Sequence, residues 1–176
     1  MSDSTYPKSG QPETIVITVN GEKYILETGD RIDQVSSSDT LANTLRETIG
    51  LTGTKISCNH GACGSCTVLL DGKPVNSCMI LTLECDDKSI VTIEGLRDKK
   101  TGKLDPLQQA FIDHAAFQCG FCTPGMILNA KALLTEKPSA TEEDVKEALS
   151  GVFCRCISHY QVIDAVMSVS ENRDDK

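Results

Sequence analysis

The sequence contains no tryptophan, few other aromatic residues and no long apolar segment. Aromatic residues make up 4% of the chain and hydrophobic residues 39%, so aliphatic side chains must build the cores. A membrane-spanning helix needs about 20 apolar residues in a row, and no such run occurs. The first fourteen residues are polar and lack the apolar region of a secretory signal. We therefore expect no membrane insertion and a cytoplasmic location, with export alongside a folded partner left open.

Clusters of basic residues are also missing. The net charge is −8, and Lys and Arg are not concentrated in any segment. Nucleic-acid-binding proteins carry basic patches, so we expect no nucleic acid as a partner, whereas an acidic surface suits docking onto another protein. The sequence has no glycine-rich phosphate loop and no Ser/His/Asp set, and no pattern in it pairs two carboxylates as a catalytic acid and base. Substrate chemistry is therefore expected on another chain.

Cysteine is the residue in excess. A disulfide framework favours an even number of cysteines and an oxidising compartment, but this number is odd and no export signal is evident. Grouped cysteines in a reducing compartment are more often metal ligands. Eight of the nine form two sets of four, and Cys85 is left over as a small buried hydrophobic residue. The nine are Cys58, Cys63, Cys66, Cys78, Cys85, Cys119, Cys122, Cys154 and Cys156.

Turn signals predict a small mixed sheet in the first half. Runs rich in β-forming residues flank Asn20-Gly21 and Asp71-Gly72, which are strong signals for hairpins. A last strand is expected over residues 89–93. Between the hairpins, one helix is expected from an N-cap at Asp39 to a stop at Gly50. The order strand–strand–helix–strand–strand indicates an α+β fold.

The second half has a helical hydrophobic period. Capping residues predict four helices, with starts at Asp105, Thr123, Thr141 and Ser158. A polar stretch separates the two halves and is a plausible linker. The predicted organisation is a disordered tail at 1–13, a sheet domain at 14–95, a linker at 96–105, a helical domain at 106–170 and a tail at 171–176.

The first cysteine set has the C-x4-C-x2-C spacing of plant-type 2Fe–2S proteins, with a fourth cysteine further along. Such a loop must bend tightly around the cluster and aim backbone N–H groups at the sulfurs. Gly61 and Gly64 allow the backbone angles that this requires. The predicted ligands are Cys58, Cys63, Cys66 and Cys78.

The second set consists of two short pairs, each just before a predicted helix start. Helix N-termini favour thiolates and a negatively charged cluster, so two facing helix ends could hold four sulfurs. The predicted ligands of a second 2Fe–2S cluster are Cys119, Cys122, Cys154 and Cys156.

Zinc is the alternative metal. Four-cysteine zinc sites usually consist of two short pairs, a spacing that the first set lacks and the second set matches better. A Rieske centre needs two histidine ligands per cluster, and only His60 lies in the first loop. Two 2Fe–2S clusters are therefore the favoured prediction.

Four strings in the sequence stand out: Thr52-Gly-Thr-Lys55, Cys58-Asn-His-Gly-Ala-Cys-Gly-Ser-Cys66, Gln118-Cys-Gly-Phe-Cys-Thr-Pro-Gly-Met126 and Cys154-Arg-Cys156. They resemble the molybdenum hydroxylase (xanthine oxidase) family. Over residues 14–168 the chain is similar to the separate small iron–sulfur subunit of that family. The resemblance implies a β-grasp, ferredoxin-like N-terminal domain and an all-α four-helix C-terminal domain, each with one 2Fe–2S cluster.

The resemblance also implies partners and an order of electron flow. A large subunit would hold molybdenum on a pyranopterin cofactor and hydroxylate the substrate with oxygen from water. The helical-domain cluster would lie nearest to it, and the plant-type cluster would pass electrons outward, commonly to FAD on a medium subunit. Gln118 and Cys156 match family residues that contact the pterin. The substrate stays open, as does the choice of NAD, a quinone or a ferredoxin as final acceptor.

The sequence departs from the family pattern after the last cysteine. Ile157-Ser158-His159 stands where the family usually has Thr-Gly-Tyr. Ser158 can still cap the last helix, so the departure bears on the pterin contacts rather than on the fold. Two other functions compete, a free ferredoxin-like carrier and a zinc interaction protein. The helical domain argues against the free carrier, because a mobile carrier does not need a second buried cluster.

Overall fold

Two tight turns organise the sheet. In a computed structural model, which describes residues 14–29, 31 and 34–171, β1 (Thr14–Val19) and β2 (Glu22–Glu27) pair antiparallel across Asn20-Gly21. In the same way, β3 (Thr67–Leu70) and β4 (Lys73–Asn76) pair across Asp71-Gly72. All four turn residues have positive φ, from 49° to 82°, as type I′ turns require. Both predicted hairpins are confirmed.

The fifth strand, β5 (Ser89–Val91), joins the two hairpins into one mixed sheet with the order β2-β1-β5-β3-β4. It runs parallel to β1 and antiparallel to β3. The predicted strand over 89–93 is two residues too long. The Asn20 side chain accepts from the Thr92 N–H and donates to the Thr92 hydroxyl, both at 2.9 Å. Side-chain bonds thus replace strand pairing there, and Ile93 begins a 3₁₀ turn.

The helix between the hairpins is short and irregular. α1 (Leu41–Asn43) continues as a π-helical turn over Thr44–Thr48. The predicted N-cap is wrong by one residue, because the Thr40 hydroxyl accepts from the Asn43 N–H at 3.4 Å. The Asp39 carboxylate instead accepts from the Ser36 N–H at 2.8 Å, in the preceding turn.

Four helices follow residue 105 in the part of the chain that the structure describes, as expected. The capping predictions for α2 and α4 are confirmed, since Asp105 and Thr141 accept backbone N–H bonds there. α3 begins one residue earlier than predicted, with Cys122 at its N-cap and Thr123 already helical. The bounds are α2 (Pro106–Asp113), α3 (Thr123–Glu136), α4 (Glu142–Leu149) and α5 (His159–Glu171). The predicted tails lie outside the described residues, except that Glu171 ends α5.

The two halves have separate hydrophobic cores. The sheet core contains Ile17, Leu45 and Ile90, and it includes Cys85, which is fully buried. Burial raises the pKa of the Cys85 thiol to about 11, so this cysteine is a small core residue as predicted. The helical core is larger and contains Phe111, the most voluminous of the fully buried side chains. In the described ranges, no helix combines the length and the hydrophobicity needed to cross a bilayer.

A seam of three glycines joins the halves beside the first cysteine loop. Gly64 and Gly125 approach each other so closely that a Cβ on Gly125 would clash with the Gly64 carbonyl oxygen. A Cβ on Gly64 would clash with the Gly151 carbonyl oxygen. We call Gly64, Gly125 and Gly151 the glycine seam. It brings the cysteine loop, the start of α3 and the end of α4 into backbone contact.

Candidate metal centres

The first cysteine loop has the backbone that a cluster needs. Gly61 and Gly64 adopt φ of 76° and 68°, as the sequence predicted. The loop directs backbone N–H groups, led by that of His60, at the Cys58 sulfur. Together with the neighbouring Cys63 thiol they outweigh partial burial and lower the Cys58 pKa to about 6. The same donors would stabilise the negative charge of a thiolate ligand.

The other two cysteines of the first set lie deeper. Cys66 and Cys78 are buried, and their side chains are within hydrogen-bonding reach of each other. Burial raises the pKa of the Cys66 thiol to about 11. Buried thiols ionise readily only when a cation replaces their protons, so this pair is suited to a metal ion. The structure thus brings the predicted residues together as two pairs, Cys58 with Cys63 and Cys66 with Cys78.

The second set also forms two pairs. Each pair contains one cysteine from positions 119 and 122 and one from positions 154 and 156. The Sγ atoms of Cys119 and Cys156 lie 3.6 Å apart, and the Cys122 side chain neighbours that of Cys154. Burial and the neighbouring Cys154 thiol raise the pKa of Cys122 to about 12. This second arrangement also pairs the predicted ligands two by two.

Backbone donors surround Cys154. The N–H groups of Cys156 and Ile157 each lie 3.4 Å from its Sγ. Although burial opposes ionisation of the Cys154 thiol, these two N–H groups and the Cys122 thiol lower its pKa. Ile157 itself packs into the helical core, and the Ser158 hydroxyl accepts from the Tyr160 N–H at 3.4 Å. The unusual residues after the last cysteine therefore still support the start of α5.

Pairing two by two is the arrangement expected of a dinuclear site, in which each metal ion binds one pair of thiols. A tetrahedral zinc ion with four thiolates at about 2.3 Å would place all six sulfur pairs about 3.8 Å apart. No group of three or more His, Cys, Asp or Glu side chains converges in this way among the described residues. All nine cysteines are free thiols in the structure, and none belongs to a disulfide. Two irons, each held by one thiol pair, fit the donor set that is present.

A backbone hydrogen bond links the segments that carry the two sets. The Phe153 N–H donates to the Cys63 carbonyl oxygen at 2.9 Å. Phe153 directly precedes Cys154, so this bond joins a cysteine of one set to the neighbour of a cysteine of the other. The glycine seam lies alongside and holds the two segments in contact. The sequence could not reveal this contact, because it depends on how the halves pack.

The second set opens to solvent at an aromatic surface. Cys119 and Cys156 are exposed, and so is Gln118, which brings both predicted pterin-contact residues to one edge. Four of the chain's seven aromatic residues are exposed within four positions of a second-set cysteine. We call this group the aromatic rim; it comprises Phe117 (40% exposed), Phe121 (44%), Phe153 (78%) and Tyr160 (77%). The rim was not predicted from the sequence. The signal for it was that four of the seven aromatic residues lie close to second-set cysteines in the sequence.

Comparisons with known proteins agree with this geometry. A family model described as "2Fe-2S iron-sulfur cluster binding domain" matches residues 20–111, and a "[2Fe-2S] binding domain" matches residues 92–167. The nicotine 6-hydroxylase small subunit of Paenarthrobacter nicotinovorans is 44% identical over 93% of this chain and 93% of that protein. The nicotinate dehydrogenase small FeS subunit of Eubacterium barkeri is 42% identical over 87% of this chain and 92% of that protein.

A solved structure extends the likeness to the whole fold. Quinoline 2-oxidoreductase from Pseudomonas putida 86 includes a chain that is 41% identical, with a TM-score of 0.84 over 94% of this chain and 98% of that one. The chain belongs to the small iron–sulfur subunits of the molybdenum hydroxylase family. As such a subunit, it carries iron–sulfur chemistry and transfers electrons within an oxidoreductase, without catalysing the substrate reaction itself.

Proposed function

We propose that this small iron–sulfur subunit holds two 2Fe–2S clusters and relays electrons between them. The observation that carries the proposal is the pairing of sulfurs two by two in both cysteine sets. Residues 14–95 would form a β-grasp, ferredoxin-like domain and residues 106–170 a four-helix domain, in line with the parallel β1–β5 pair and the helices α2–α5. The ligands would be Cys58, Cys63, Cys66 and Cys78 for one cluster, and Cys119, Cys122, Cys154 and Cys156 for the other.

When bound, each cluster supplies a site that accepts and releases one electron at a time. The chain's own groups prepare that site. The N–H donors at Cys58 and Cys154 stabilise negative charge on sulfur, and the burial of Cys66 and Cys122 keeps water from their sides of the sites. The hydrogen bond from Phe153 to Cys63 supports passage between the sets, since it is a short bonded connection across the seam.

The partner at the exposed edge would be the large subunit that binds the molybdenum–pyranopterin cofactor, with Gln118 and Cys156 in contact with the pterin. Exposed aromatic side chains around a polar site are typical of a protein interface, where they supply much of the binding energy. The relatives named above are themselves small subunits of oxidoreductases, which supports a larger partner. Electrons would leave through the first cluster to an FAD-binding medium subunit or to another acceptor.

Metal analysis with EPR tests the two-cluster proposal. The protein as purified with its partners is expected to yield about four iron and four acid-labile sulfide per chain, with two distinct EPR signals after reduction by dithionite. Zinc in place of iron, or about two iron with a single signal, would refute the two-cluster proposal.

Truncation of the aromatic rim tests the partner surface. Phe153→Ala is expected to weaken binding of the large subunit at least about tenfold, because Phe153 has the most exposed aromatic side chain among the described residues and lies next to Cys154. The matched control is Ile25→Ala, which removes a similarly exposed apolar side chain from the sheet edge strand β2. Titration calorimetry with the isolated large subunit measures both variants. Equal affinities for Phe153→Ala and Ile25→Ala would remove the rim from the interface.

A further inference from the structure

A cavity of about 710 Å³ lies between the two halves, next to the second cysteine set. One wall comes from the first half and carries two cationic side chains. The other wall is the turn that contains a cysteine of the second set. The lining residues are Arg46, Lys55, Ile56, Cys119, Gly120 and Phe121.

Backbone carbonyl groups hold both cations in place. The Arg46 guanidinium donates from Nη1 to the Thr52 and Thr54 carbonyl oxygens at 3.0 and 2.8 Å. The Lys55 ammonium donates to the Thr52 carbonyl oxygen at 2.6 Å. Because the same short segment anchors both side chains, their charges are fixed against the cavity rather than free to move through solvent.

The cavity is unusual in its charge. The chain as a whole is acidic, yet both charged residues among the described residues that line the cavity are basic. Glu47 lies 3.8 Å from the Arg46 Nε, but its side chain is 76% exposed and largely hydrated, so it offsets the Arg46 charge only weakly. Lys55 has no comparable carboxylate among the ion pairs of the described residues.

We propose that Lys55, assisted by Arg46, raises the reduction potential of the cluster on the second cysteine set. An iron–sulfur cluster becomes more negative by one charge when one of its irons takes up an electron from the donor. A fixed cation nearby favours that reduced form, and the protein interior screens the attraction less than bulk water does. This inference rests on the proposed function, since it assumes a cluster at Cys119, Cys122, Cys154 and Cys156.

The arrangement also couples the potential to the packing of the halves. The cations belong to the first half, whereas the cluster that they face belongs to the second. The potential of the second cluster would therefore depend on the contact between the halves at the glycine seam. An electron would then enter next to the exposed edge, where the donor docks, and would leave across the hydrogen bond from Phe153 to Cys63.

The test is an EPR-monitored redox titration of Lys55→Gln in the full chain, purified with its partner subunits. At a fixed ambient potential, the reduced-to-oxidised ratio of the second cluster is expected to fall about tenfold, or about 59 mV for one electron. The reduction potential of the first cluster should shift less, although Lys55 is near Cys58 in sequence. Lys55→Arg keeps the positive charge, so the second cluster should have the wild-type potential in that variant. Lys100→Gln is the matched control, because Lys100 is exposed in the turn before α2.

The outcomes separate this inference from the proposed function. Two clusters with an unchanged second potential in Lys55→Gln, or a larger shift of the first cluster, would overturn the role of Lys55. A wild-type protein with a single cluster would instead overturn the two-cluster proposal. If Lys55→Gln fails to load its clusters, Arg46→Gln should show the same negative shift with iron content unchanged, and an unchanged potential there would overturn the proposal.

Discussion

Replacing Cys122 with serine is expected to remove one of the two EPR signals and about half of the iron. Cys122 is buried, occupies the N-cap of α3 and pairs with Cys154. Serine keeps the size of the side chain but is a much poorer ligand for iron than a thiolate. The first set shares no sulfur with the second, so its cluster should persist. Iron analysis and EPR of the dithionite-reduced complex measure the change.

The matched control for Cys122→Ser is Cys85→Ser. Both cysteines are buried and both thiols have a raised pKa, but Cys85 lies in the sheet core away from either set. Iron content and both signals should be unchanged in Cys85→Ser, even where stability falls. Full iron content in Cys122→Ser, or loss of both signals, would contradict the assignment of Cys122 to one of two independent clusters.

Gly125→Ala is expected to destabilise the protein by about 2–3 kcal/mol, the cost of forcing extra volume into a packed site. In most helices this substitution is favourable, by about 1 kcal/mol, because alanine has the higher helix propensity. At Gly125 the change in stability is expected to be unfavourable instead, because the added Cβ would clash with the Gly64 carbonyl oxygen. That oxygen is backbone and also accepts bonds from the Thr67 N–H and hydroxyl, so it cannot move aside. Urea unfolding followed by circular dichroism measures the loss.

Gly151→Ala provides the control for Gly125→Ala within the same seam. A Cβ on Gly151 would meet no atom within 4 Å, so its free energy of unfolding should stay within about 0.5 kcal/mol of the wild type. Gly125→Ala should also slow electron transfer between the clusters, because separating the halves lengthens the bond from Phe153 to Cys63. A Gly125→Ala protein as stable as wild type would show that the seam tolerates a wider spacing.

Local signals in the sequence were sufficient for much of the fold. Asn-Gly and Asp-Gly pairs specify their turns through positive φ, so the residues alone were enough to place both hairpins. The caps at Asp105 and Thr141 act within three residues, and they too were predicted correctly. The spacing of Cys58, Cys63 and Cys66 within one loop was also a local signal, whereas the second set joins two motifs that are more than 30 residues apart.

Long-range features could not be predicted in the same way. The parallel pairing of β1 with β5 joins residues that are far apart in the chain, such as Thr18 and Ser89. The end of β5 depends on the hydrogen bond from the Thr92 N–H to the Asn20 side chain. The start of the first helix depends on the Asp39 carboxylate, which accepts from the Ser36 N–H and so does not cap the helix. The pairing of sulfurs within each set, the glycine seam and the cationic wall of the cavity all arise from packing between segments.

The unequal burial of the cysteines also dictates how the holoprotein can be assembled. Cys119 and Cys156 are open to solvent, so iron and sulfide could reach these two thiols in the folded chain. Cys66 and Cys78 are only 2% and 5% exposed and Cys122 only 7%, so the proposed clusters could be inserted only after these thiols became accessible. Loading of the proposed clusters would therefore require local opening in both halves of a folded apo-subunit, so insertion of iron and sulfide before folding is complete would be the easier route.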